Sequence, residues 1–186
     1  MSYEITPSGF ACPMAFCASP FFDARPEGAL PEIIVVHCIS LPRGHYGTGC
    51  VRGLFTGTLD LGLDESFESL RGLEVSSHFF ISRQGAPTQF VGTGERAWHA
   101  GVSSFEGRTG CNAFSVGIEL EGVDDAPFED AQYKTLIQII SALKKRYPGI
   151  KAVTGHSDIA PGRKTDPGTG FDWARLTACG LKIVHG

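Results

Sequence analysis

A chain of 186 residues with 42% hydrophobic and 19% charged residues can bury a core of its own, which excludes an intrinsically disordered protein. Its net charge of -4 excludes the basic surface that neutralises phosphates, so nucleic acid is not an expected partner. No run approaches the roughly 20 apolar residues of a membrane-crossing helix, and a membrane is not expected either.

Residues 1–30 hold Pro7, Pro13, Pro20 and Pro26 with Asp23 and Arg25 among them, which predicts an irregular arm laid over the rest of the chain. The same residues interrupt the apolar core a secretory leader needs, so a cytoplasmic protein is expected. Ile33-Ile34-Val35-Val36-His37 is a continuous β-branched run ending in histidine, the pattern of a strand buried on both faces. Six glycines between residues 41 and 63 predict a long loop. Asp64 opens a short helix that Gly72 ends. Strands are predicted at Val75–Ile81 and Thr88–Val91, joined by a turn at Arg83-Gln84-Gly85, and again at Ala113–Leu120.

From Glu129 to Tyr147, Tyr133, Leu136, Ile137, Ile140 and Leu143 recur at three- and four-residue spacing, the stripe of an amphipathic helix. Lys144-Lys145-Arg146 suits its dipole, and Pro148-Gly149 stops it. Ala152-Val153-Thr154 reads as a short strand delivering His156, and Asp172–Cys179 as a last helix. Together these predict a mixed α/β fold, a central mixed sheet flanked by helices, in one domain over residues 1–186 and a monomer. The six cysteines (12, 17, 38, 50, 111, 179) lack C-x-x-C spacing and are expected to be mostly free thiols.

The chemistry concentrates between Gly155 and Gly168, where His156, Lys164 and Asp166 share a Pro/Gly-bracketed loop. Imidazole and carboxylate are ligands of a catalytic zinc, which takes three from the protein. His37, also at a strand end, is the candidate for the third. Asp158 competes with Asp166, although its place two residues after His156 suits it to hold the loop through backbone hydrogen bonds. Glu119 stands at a strand end where a carboxylate can act as general base. Glu121 shares its face, and the sequence does not choose between them. Lys164 is a candidate donor to a developing oxyanion. Trp98 is either a flat wall for a sugar ring or a core aromatic, and His99 is placed to orient neighbouring groups. Ala160, on the same loop, is a further candidate substrate contact. His78 reads as a packed strand residue and Asn112 as the anchor of its loop.

These motifs, with Leu54-Phe55-Thr56-Gly57, Ala97-Trp98-His99-Ala100-Gly101, Val116-Gly117-Ile118-Glu119 and Phe171-Asp172-Trp173, resemble the N-acetylmuramoyl-L-alanine amidase type 2 family over nearly the whole chain. That family shares its fold with the peptidoglycan recognition proteins. The resemblance is strongest to its cytoplasmic branch acting on 1,6-anhydro-muropeptides. It implies one zinc ion on His37, His156 and Asp166, catalysis by Glu119 and Lys164, and a small muropeptide substrate cut between the lactyl group and L-alanine during cell-wall recycling. Three positions depart from the family pattern: Cys38 stands where an asparagine is common, and Glu74 and Gly110 where arginines are expected. Arg108 and Arg163 are the candidates to compensate. Two alternatives stay open, an envelope amidase acting on polymeric peptidoglycan and a non-catalytic muropeptide binder.

Overall fold

A computed structural model describes residues 2–186. Seven strands form the central sheet: β1 (Ala15–Phe16), β2 (Ile33–Ile39), β3 (Phe79–Ile81), β4 (Pro87–Gln89), β5 (Ser115–Glu121), β6 (Ala152–Gly155) and β7 (Lys182–Val184). Their spatial order is β7-β6-β2-β5-β3-β4-β1, parallel except for the β3–β4 pair.

The central strands are apolar because both faces are covered. Ile34, Val36, Val116, Ile118 and Leu120 point to the helix α2 (Asp130–Arg146), whose Tyr133, Leu136, Ile139, Ile140 and Leu143 complete that core. Ile33 and Val35 point the other way, against Phe105, Cys111, Phe114 and Ile159. Strand alternation then puts His37 on this second face, and Ser115, Gly117, Glu119 and Glu121 with it. At the start of α2, Gln132 accepts from the Glu129 N–H (3.0 Å) and donates to the carbonyls of Ile81 and Glu121 (3.2 and 3.0 Å), tying the helix to two strand ends.

Several elements differ from expectation. The arm is not merely irregular: Glu4–Ile5 pairs with Ala11–Cys12, β1 extends the sheet edge, and Phe22–Ala24 pairs with Glu95–Ala97. These strands are two or three residues long, too short to show a period; the first two pair with each other within the arm, and the others form because their backbone groups find partners on elements distant in sequence. Within the predicted loop 41–63 lies a helix, α1 (Cys50–Thr56), burying Val51, Leu54 and Phe55. Its flanking Gly49 and Gly57 are both left-handed, and the interior Gly53 lets Leu59 approach, where a Cβ would meet the Leu59 Cα at 3.1 Å. Those glycines mask its apolar period.

The predicted Asp64–Arg71 helix is a 3₁₀ turn over Glu65–Leu70, capped by Asp64 accepting from Ser66 N–H (3.0 Å). Trp173–Cys179 is likewise 3₁₀. The strand expected from Val75 contracts to Phe79–Ile81, because Ser76 and His78 bond Trp98 and Gly117 outside a regular ladder. All six cysteines are free thiols. Among the described residues, no helix is long and apolar enough to cross a membrane.

Candidate metal centre

Parallel pairing builds the site. Glu119 on β5 lies directly beside His37 on β2, while Gly155 on β6 pairs with Val36, so His156 emerges one step beyond. Three side chains thus gather at the carboxyl ends of adjacent parallel strands, where open α/β sheets bind ligands. The chain then turns back: Ser157 N–H donates to the Asp166 carbonyl (2.8 Å), folding the loop so that the Asp166 carboxylate faces both rings.

His37 Nδ1, His156 Nδ1 and Asp166 Oδ2 form a triangle with sides of 3.0, 3.0 and 3.1 Å. Asp158 is turned elsewhere, accepting from the Gly155 N–H at 2.9 Å. The two candidate glutamates separate by environment. Glu119 Oε1 lies 3.9 Å from His37 Nδ1, and its buried Oε2 has no hydrogen-bond partner among the described residues. Glu121 accepts from the backbone N–H of Gly47 (2.6 Å) and Arg83 (2.9 Å), which fixes it as a brace between two loops.

Each ring is oriented from behind. His156 Nε2 is 3.1 Å from the Ala100 carbonyl, which also accepts from Arg163 (2.6 Å). His37 Nε2 is 2.9 Å from His99 Nδ1, and His99 Nε2 is 3.0 Å from Ser115 Oγ. Asn112 Oδ1 accepts from the N–H groups of His99 and Ala100 (3.1 and 2.8 Å), holding that segment over the sheet.

Electrostatics follow from burial. His37 is lowered to about 4 by burial and by His156, against the pull of Asp166. Burial raises Asp166, but hydrogen bonds from His156 and His37 prevail and hold its carboxyl well below the usual range. Burial, then the Asp166 charge, pushes Glu119 well above the usual carboxylate range, with Lys164 opposing. The Cys38 thiol is pushed up by burial and Glu119, which makes it a poor nucleophile at neutral pH.

Two imidazoles and one carboxylate fit zinc in identity and number. The sides of the triangle match the roughly 3.3 Å ligand spacing that tetrahedral bonds of about 2.0 Å give, within the usual tolerance. The orphaned, buried Glu119 oxygen is a polar atom waiting for a partner in the space beside them.

A cavity of about 300 Å³ opens on this cluster, lined by His37, Glu119, Trp98 and Lys164 and by the apolar Leu54 and Leu73. Trp98 is half-buried and stacked on Phe21 (6.4 Å), so it lines the cavity without belonging wholly to the core. Lys164 is exposed and also borders a second cavity of about 690 Å³ with Asp124, Thr169 and Trp173. Ala160 is buried and absent from the cavity wall, with its carbonyl accepting from Arg163 and Lys164 N–H (both 3.1 Å). Neither proposed compensating arginine is free: Arg108 pairs with Glu32 (2.6 Å) over the Phe114 ring, and Arg163 is bound to carbonyls. Ser115 escaped the sequence reading and Gly117 entered it only as part of a motif; the signal was a serine and a glycine alternating with apolar residues on the face that also bears Glu119 and Glu121.

Comparison with known proteins gives a consistent picture. Residues 27–169 match the family model described as N-acetylmuramoyl-L-alanine amidase. The chain is 51% identical over 168 residues to the 1,6-anhydro-N-acetylmuramyl-L-alanine amidase AmpD of Citrobacter freundii, covering 90% of each chain. A crystal structure of a selenomethionine AmpD derivative superposes with a TM-score of 0.90 at 48% identity, over 92% of this chain and 97% of that one. The amidase AmiD from E. coli, in complex with the substrate anhydro-N-acetylmuramic acid-L-Ala-D-γ-Glu-L-Lys, superposes with a TM-score of 0.59 at 32% identity, over 85% of this chain and 61% of that one.

Proposed function

Because the chain belongs to the N-acetylmuramoyl-L-alanine amidase family, we propose that it hydrolyses the amide between the lactyl group of 1,6-anhydro-N-acetylmuramic acid and L-alanine. The reading includes a single domain, a zinc cofactor and a cytoplasmic role in recycling cell-wall fragments. The observation that carries it is the convergence of His37, His156 and Asp166 on one point beside the unpartnered Glu119 oxygen.

His37 Nδ1, His156 Nδ1 and Asp166 Oδ2 are the atoms that would hold the ion. When bound, zinc supplies Lewis acidity, polarising an amide carbonyl and lowering the pKa of water towards about 7. Glu119 takes the proton of the attacking water and returns it to the leaving nitrogen, and burial raises its carboxyl above the usual range. Lys164, exposed at the rim shared by the two cavities, donates to the carbonyl oxygen as negative charge grows there. The Trp98 indole offers its face to the sugar ring, and the apolar wall of Leu54 and Leu73 keeps bulk water from the reacting amide.

The test is incubation of the purified protein with anhydro-muropeptide and, separately, with polymeric peptidoglycan, read by mass spectrometry with chelator and zinc add-back. Chelator-sensitive release of L-alanyl peptide from the anhydro-muropeptide alone is the expected result. Cleavage of the polymer as well would move the substrate to the envelope. Binding without cleavage in the zinc-loaded protein would overturn the reaction.

A further inference from the structure

Behind the candidate metal ligands runs a line of side chains that the proposed chemistry does not use: His37 Nε2, His99 Nδ1, His99 Nε2 and Ser115 Oγ, linked at 2.9 and 3.0 Å. His37, His99 and Ser115 are all buried. The line is built into the strand pattern, since Ser115, Gly117 and Glu119 occupy one face of β5 and His37 continues that face on β2. Gly117 is what admits the His99 ring, because a Cβ there would stand 2.5 Å from the His99 Cγ.

Proton counting gives the line a direction. A neutral imidazole has one N–H and one lone pair. If His37 presents its Nδ1 lone pair to the triangle, its proton sits on Nε2 and is donated to His99 Nδ1. His99 must then carry its own proton on Nε2 and donate it to Ser115 Oγ. Each choice forces the next, and the reverse ordering would put a proton on His37 Nδ1, where the triangle needs a lone pair. We infer that His99 and Ser115 are positioning residues that lock His37 in the Nε2–H tautomer and so preset its Nδ1 as a metal ligand.

Ligand histidines usually find such a partner in a carboxylate, a backbone carbonyl or water. His156 follows that habit with the Ala100 carbonyl. For His37 the acceptor is a second neutral ring, which fixes the tautomer without adding negative charge, so among the described residues Asp166 and Glu119 are the only carboxylates in the cluster.

The inference rests on the metal-centre reading, and its test separates the two. Zinc affinity is measured by competition with a chromophoric chelator, and the tautomer by long-range ¹H–¹⁵N correlation of the zinc-loaded protein. In the wild type the His37 and His99 protons should both appear on Nε2; a His37 proton on Nδ1 overturns the inference without any variant. Among variants, His99→Asn places an oxygen near the position of Nδ1 and should keep zinc affinity within about threefold. His99→Gln reproduces the outer nitrogen and not the inner acceptor, and His99→Phe offers neither; both should weaken zinc 10–100-fold, the usual cost of losing such a partner. A merely space-filling His99 would rank Gln and Phe above Asn, and that order sinks the inference. If the wild type binds no zinc, the metal centre itself is at fault.

Discussion

At the residue scale, Glu119 and Glu121 show how position outweighs residue type. They share a strand and a face, but one has a buried oxygen without a partner and the other spends both oxygens on backbone N–H groups. Only the first is available for proton transfer. Replacement of Glu119 by Gln should therefore leave zinc bound at one ion per chain and lower kcat by about 10²–10⁴-fold, the range spanned by general acid–base catalysis. Elemental analysis together with steady-state turnover checks both halves; a variant that keeps its kcat removes Glu119 from the mechanism. The choice between the two was not legible in the sequence, because the loop backbones that occupy Glu121 come from residues 47 and 83, distant along the chain. By contrast His37 and His156 were legible as histidines at the ends of apolar strand runs, while the choice of Asp166 over Asp158 came from the family resemblance; the structure brings the three side chains together.

At the scale of elements, one guanidinium adds to the strand pairing that holds the arm. Arg25 donates to the carbonyls of Ala113 (2.9 Å), Ser115 (2.8 Å), Asn112 (3.1 Å) and Thr93 (3.2 Å), and burial lowers it to about 10. These carbonyls bracket the segment bearing Trp98, His99 and Asn112. Arg25→Ala leaves several partly buried acceptors unsatisfied and should destabilise the fold by about 3–5 kcal/mol, each lost acceptor costing about 1–3 kcal/mol less whatever water recovers. Urea denaturation reads the shift in midpoint. Arg25→Lys should recover little, since an ammonium cannot span the fork. The arm's pairing was invisible in the sequence for the same reason: its strands have two or three residues and no period, and they exist only against their partners. The helix α2 was legible because its seventeen residues carry a full stripe, a polar start and a Pro-Gly stop. The helix α1 failed that test through its three glycines.

For the whole molecule, buried neutral histidines set the response to acid. His78 is fully buried, accepts from the Gly117 N–H at Nδ1 (3.1 Å), and is lowered to about 3 by burial and by Arg25. Unfolded, it would titrate near 6.5. Between about pH 6.5 and 3 the unfolded chain therefore binds one more proton than the native one, and stability falls as pH falls through that window. This group alone should cost about 1.4 kcal/mol between pH 7.5 and 5.5. Comparing wild type with His78→Asn, which keeps an acceptor near Nδ1, in denaturant melts at both pH values isolates the increment. Equal pH slopes in the two proteins would show that His78 already titrates in the native state.

The pairing of β2 with β5 and β6 has a consequence for how the protein is assembled. Residues 33–39 meet residues 115–121 and 152–155, so His37 joins Glu119 and the His156–Asp166 loop only after two contacts spanning roughly eighty and one hundred and twenty residues have closed. Topologies of this kind fold slowly because loop closure precedes its reward. Before those contacts close, a metal ion would find only the His156–Asp166 pair of one loop, fewer ligands than the fingers that fold around zinc present locally. An ion bound there would be a latch on finished architecture. Adding zinc to the refolding chain should leave the refolding rate unchanged and slow unfolding instead, which stopped-flow fluorescence in both directions would resolve.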